Sequence, residues 1–150
     1  MIGKLSLALV GGLVYAIAAA AQQDTVEYDG TWNVRIDGDG RTARQARVVI
    51  GDFEGRWQEL GPKRAGDPCR GSKPFPITVQ ESTAEQFEFT VWSETVTKAC
   101  PDFAVVLKVV DERTLVGTLK AADERKADAV ISAGREVRLT RVPSKKQAQR

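Results

Sequence analysis

The stretch that decides the fold is RQARVVIGDFEGRWQELG, Arg44 to Gly61. Val48, Val49 and Ile50 run into Gly51-Asp52, and a second apolar series, Phe53, Trp57 and Leu60, follows at once. Two such runs separated by a Gly-X pair read as a β-hairpin with a two-residue turn at Gly51-Asp52. Gly55, inside the second run, marks a bulge or a close approach of backbone.

The same grammar extends in both directions. Upstream, GTWNVRI alternates Trp32, Val34 and Ile36 with Thr31, Asn33 and Arg35, so the first three share one face of a strand. DGDG, Asp37 to Gly40, ends that strand as a turn. A calcium loop would need further acidic ligands at fixed offsets, and Arg41, Thr42 and Ala43 stand there instead. Downstream, six of the fourteen residues from Gly61 to Pro74 are Gly or Pro, which predicts a long irregular connection. Phe75 to Gln80 is a fourth strand. QFEFTVWS, Gln86 to Ser93, is a fifth, with Phe87, Phe89 and Val91 on one face and Glu88, Thr90 and Trp92 on the other. FAVVLKVV, Phe103 to Val110, is apolar on both faces apart from Lys108, which predicts a covered outer surface and suggests a homodimer through strand 103–110. Thr114 to Lys120 and Glu136 to Val142 complete eight strands. AADERKADAVISAG, Ala121 to Gly134, interrupts them as a short helix or a long hairpin tip.

Eight strands joined mostly by short turns predict an all-β fold, an eight-stranded antiparallel up-and-down barrel, with a β-sandwich as the alternative. A barrel of this size is filled by side chains or holds one small ligand.

The first residues, MIGKLSLALVGGLVYAIAAAAQQD, have Lys4 before an apolar run and Ala19-Ala20-Ala21 before Gln22. That is the layout of a signal peptide over residues 1–21; a retained membrane anchor is the alternative. The expected organisation is therefore a signal peptide, one barrel domain over 22–142, and a disordered, basic, low-hydrophobicity tail over 143–150, PSKKQAQR. The expected location is periplasmic or secreted, with no membrane attachment after cleavage. The formal charge is +2, too near neutral for a dedicated nucleic-acid binder. The charges are uneven: Arg41 to Lys73 holds eight Lys or Arg against four acids, and Glu81 to Glu94 holds four acids and no base.

Histidine is absent and there are two cysteines. This removes the Ser-His-Asp and Cys-His catalytic pairs, His-ligated zinc and four-thiolate metal sites. No cofactor and no metal are expected. Asp37, Asp39, Asp52, Glu54 and Glu59 are the acids available for general acid/base work, but all read as turn or polar-face residues, so the chain is not expected to be an enzyme. In an exported chain the two cysteines predict one disulfide, Cys69 to Cys100, tying the 61–74 loop to the connection between the fifth and sixth strands.

The ordered set GTW (Gly30–Trp32), FEGRW (Phe53–Trp57), CRGSKPFPIT (Cys69–Thr78), FEFTVW (Phe87–Trp92) with Cys100 eight residues on, and GREVRLTRV (Gly134–Val142) resembles the bacterial avidins, especially their disulfide-bearing dimeric type. The resemblance implies a barrel and a dimer. It does not imply tight biotin binding. Asn33 lies one residue after Trp32 where the family's asparagine lies two after, which turns it to the opposite face. Asp37 stands at the family's loop serine, and Trp57 stands for a tyrosine. Trp92 matches one wall tryptophan, Val105 and Leu119 stand near others, and Glu136 is a loose substitute for the closing aspartate.

The expected role is binding of a small-molecule ligand at the barrel mouth by Trp32, Asn33, Arg35, Trp57 and Trp92. The alternative is a protein-interaction module, an inhibitor or accessory subunit, that presents the disulfide-pinned 61–74 loop.

Overall fold

The structure, a computed structural model, describes residues 27–37, 43–63, 65–71, 73–122 and 135–145. The expected signal peptide, residues 38–40 of the DGDG turn, most of the 121–134 segment and the end of the basic tail lie outside the described residues.

Eight strands follow one another: β1 (Gly30–Ile36), β2 (Arg44–Gly51), β3 (Glu54–Leu60), β4 (Phe75–Ser82), β5 (Gln86–Val91), β6 (Phe103–Asp111), β7 (Thr114–Ala121) and β8 (Glu136–Arg141). Each pairs antiparallel with the next, and β8 returns to β1 to close the barrel. Closure leaves no unpaired sheet edge.

Period-two alternation fixes which face is inside. Trp32, Val34 and Ile36 of β1 point inward, as do Ala46, Val48 and Ile50 of β2. Phe87, Phe89 and Val91 of β5, Val105 and Leu107 of β6, Leu115 and Leu119 of β7, and Val137 and Leu139 of β8 complete the lining. Aromatic rings run through it as a column. Tyr28 stacks on Phe87 at 4.1 Å, Phe87 meets Phe89 at 5.7 Å, Phe89 meets Trp57 at 6.2 Å, and Trp57 meets Phe103 edge-on at 5.3 Å. Each such pair adds about 0.5–1.5 kcal/mol beyond its buried area. Along this column the described interior is a packed core.

The β2–β3 turn sits one residue later than the sequence suggests. Gly51 pairs with Glu54, so the two turn residues are Asp52 and Phe53, both at positive φ (52° and 65°). Positive φ at both central positions is the type I′ geometry that matches strand twist. Here it is adopted without glycine at either place, and the Phe53 ring is left in solvent. Gly55 serves as a close approach: a Cβ there would lie 2.0 Å from the carbonyl oxygen of Val49. Gly117 repeats the device on β7, where a Cβ would lie 1.8 Å from the carbonyl oxygen of Val106. Both glycines occupy inward-facing positions where the strand folds tightly over its neighbour.

The outer face of β6 is only partly covered. Ala104 is buried and Val106 half-buried, but Lys108 and Val110 are exposed.

Candidate functional site

The two barrel ends are built differently. One carries the short turns at 52–53, 83–85 and 112–113, together with residues 27–29 that lead into β1. The Trp32 indole N–H donates to the Tyr28 carbonyl at 2.9 Å, and the Tyr28 hydroxyl donates to the Thr83 carbonyl. The Arg141 guanidinium lies over the Trp32 ring, 4.3 Å from its centroid, and donates to the carbonyls of Asp29, Glu27 and Glu112. This end is sealed.

The other end carries the four longer connections, at 37–43, 61–74, 92–102 and 122–135. The Cys69–Cys100 disulfide joins the second to the third, with the two Cα atoms 5.6 Å apart. Asp67 shapes the first anchor by accepting the Cys69 backbone N–H at 3.1 Å and pairing with Arg70 at 3.4 Å. Backbone hydrogen bonds from Val96 and Thr97 to Ser93, and from Cys100 to Thr97, wind the second into consecutive turns.

Just inside this end sits the one acid of the described core. Glu59 lies two residues after Trp57 and so shares its inward face; it is 6% exposed. The sequence reading placed Glu59 among polar-face acids, and the structure corrects this. Its Oε1 accepts the Trp57 indole N–H at 3.1 Å, and its Oε2 lies 3.4 Å from Nη2 of Arg44. Arg44 reaches it because it has the same inward parity as Ala46 and Val48 on β2. Burial raises the Glu59 pKa above the usual carboxylate value, while Arg44 and the Trp57 N–H oppose the rise and nearby Asp67 adds to it. Neither Glu59 Oε2 nor Arg44 Nε has a hydrogen-bond partner among the described residues, although both atoms are buried. A buried donor and acceptor left short in this way cost stability.

The expected ligand residues divide among three places. Trp57 is at the loop end, beneath Glu59. Trp32 is fully buried at the sealed end. Asn33, Arg35 and Trp92 point outward: Arg35 pairs with Asp37 at 3.2 Å, Asn33 accepts from Arg47 at 3.4 Å, and the Trp92 N–H donates to Thr78 at 3.0 Å. The barrel therefore does not gather these five around one mouth. Among the other acids, Asp37 is at the outer rim of the loop end, Asp52 and Glu54 are at the β2–β3 turn of the sealed end, and Asp39 is outside the described residues. None of the described three faces Glu59 closely enough to form a carboxylate pair. Among the described residues no cluster of His, Cys, Asp and Glu could hold a metal ion.

No protein-family model, no curated protein and no solved structure matches this chain.

Proposed function

We propose that the protein binds a small polar molecule at the loop end of its barrel, in an extracytoplasmic compartment. The observation that carries this reading is the pair of buried Glu59 and half-buried Arg44, whose Oε2 and Nε are enclosed without hydrogen-bond partners among the described residues at the end braced by the disulfide. Sites for small molecules combine apolar walls with a few convergent polar groups. Here Trp57 and Phe103 supply the walls, Glu59 the acceptor and Arg44 the donor. A ligand group offering one donor and one acceptor side by side, as an amide or a carboxylic acid does, meets both needs. The disulfide is compatible with an oxidising compartment, and a binding role agrees with the avidin-like resemblance.

The test is a panel of small amides, lactams and carboxylic acids, read by tryptophan emission and thermal shift. The expected hit quenches emission in the native protein and weakens about tenfold or more in Glu59→Gln, as when a charged hydrogen bond is lost. If no compound moves the emission at millimolar concentration, or every hit survives Glu59→Gln undiminished, the reading is wrong.

A second reading is the interaction module. It is favoured by the groove of about 500 Å³ beside the disulfide, where Lys63, Arg70 and Lys73 outnumber Asp67. A pinned loop loses little entropy on docking. Homodimerisation through strand 103–110 belongs to this reading. Light scattering that gives a strict monomer, with no partner recovered from a periplasmic extract, would remove it.

A further inference from the structure

The outer surface of β8, β1 and β2 carries a grid that only the strand register creates. Across one row, Arg138 of β8 stands opposite Arg35 of β1, and Arg35 stands opposite Gln45 of β2. Across the next, Thr140 stands opposite Asn33, and Asn33 opposite Arg47. All six side chains point outward, all can donate hydrogen bonds, three are guanidinium groups, and none is acidic. A groove of about 380 Å³ lies over them.

Placing two arginines directly opposite each other on one sheet face is unfavourable. Arg35 has partial relief from exposed Asp37, and Arg47 is turned toward the neutral Asn33. Arg138 has no ion-pair partner among the described residues. With strands about 4.8 Å apart, the three guanidinium groups stand over a patch about 10 Å across. We propose that this grid binds a compact phosphorylated small molecule. Guanidinium forks match phosphate oxygens two at a time. Three of them, with an amide or hydroxyl donor between, suit the three terminal oxygens of a phosphate ester better than the two of a carboxylate.

The surroundings argue against an extended anionic partner. Asp37 and Glu136 are exposed at the loop-end rim of the same strands and would repel a charged membrane, while a compact anion seated in the grid avoids them. The closed barrel also has no free edge on which an acidic peptide could add as a strand.

The test is calorimetric titration of the folded protein with inorganic phosphate and pyrophosphate in a low-salt buffer free of other oxyanions, with chloride at equal ionic strength as the control. Binding is expected at one site per chain, and pyrophosphate should raise the melting temperature. The triple variant Arg35→Gln, Arg47→Gln, Arg138→Gln should lose affinity by about tenfold or more. Removing three outward cations elsewhere, with Arg56→Gln, Lys108→Gln and Lys120→Gln, should cost no more than about twofold, as expected for screened surface charge. Arg138→Thr alone should melt higher than the native chain without anion and gain less from pyrophosphate. The proposal is overturned by an absence of binding, by equal losses in the two triple variants, or by association only with vesicles containing phosphatidylglycerol.

Discussion

The two ends of this barrel solve the same problem with different chemistry. At the sealed end, the Trp32 N–H, the Tyr28 hydroxyl and the Arg141 guanidinium all donate to backbone carbonyls. At the loop end, long irregular connections are held by a covalent bond, and a buried acid and a half-buried guanidinium each keep one enclosed atom, Glu59 Oε2 and Arg44 Nε, without a hydrogen-bond partner among the described residues. Complete satisfaction makes a structural plug. Incomplete satisfaction beneath a brace leaves interaction capacity available to something else. One end is a structural plug and the other is the proposed recognition end, and four variants test that division.

The largest effect is expected from Trp32→Ala. It removes a fully buried indole and the platform under Arg141, and chemical denaturation should show a loss of about 3–5 kcal/mol. Next is the double variant Cys69→Ser, Cys100→Ser. The cysteines are 31 positions apart, and the chain-entropy relation gives about 3.5–4 kcal/mol for opening such a loop. Both changes lower stability, but they should differ in where amide protons begin to exchange: around β1 and β8 for the first, and in the 61–74 and 92–102 connections for the second. Uniform exchange in both variants would erase the distinction between the ends.

Arg141→Lys should cost about 1–2 kcal/mol in urea unfolding, because lysine keeps the charge but not the planar fork that reaches several carbonyls at once. A value near zero would mean that the plug rests on Trp32 and Tyr28 alone. The smallest effect should have the opposite sign. Burial raises the folded-state pKa of Glu59 above its unfolded value, so the folded chain binds this proton more tightly than the unfolded one does. Glu59 therefore contributes most below the unfolded pKa, near 4.5, and that contribution is lost as pH rises through the raised value. Glutamine imitates the protonated form. Glu59→Gln should be more stable than the native chain at pH 7, with the gap closing as pH falls through the raised value and gone below about 4.5. A native chain that outlasts the variant at neutral pH would show that Arg44 more than compensates burial.

The barrel was readable because parity carries so much information. Trp32-Val34-Ile36 and Phe87-Phe89-Val91 state their inward faces without ambiguity, and β4 to β8 lie close to where alternation puts them. The same rule could have found the polar exceptions. Arg44 precedes Ala46 and Val48 in phase, Glu59 follows Trp57, and Arg141 follows Leu139. Alternation, however, treats a charged residue at a strand end as an exit to solvent. Only the pairing shows that these ends lie over a closed core. The turn slipped by one residue for a related reason: Gly51 is the stronger turn former, but the ladder extends to Gly51–Glu54 and leaves Asp52 and Phe53 to make the bend. The arginine grid was the least legible feature, because Arg35 and Arg138 become neighbours only through the pairing of the first strand with the last. Asn33 and Arg35 stood out in the sequence as polar contacts, and the register gives them companions on the outside of the barrel.

That final pairing also has a temporal side. β1 cannot be completed on both flanks until β8 arrives, and Arg141, which covers Trp32, is the last residue of β8. A chain leaving the ribosome in order can form hairpins, but it cannot close the ring until β8 has been made. Until then β1 has one unpaired flank and the Trp32 ring lacks its guanidinium cover. The residue that completes the plug is also the one that marks the closing of the ring.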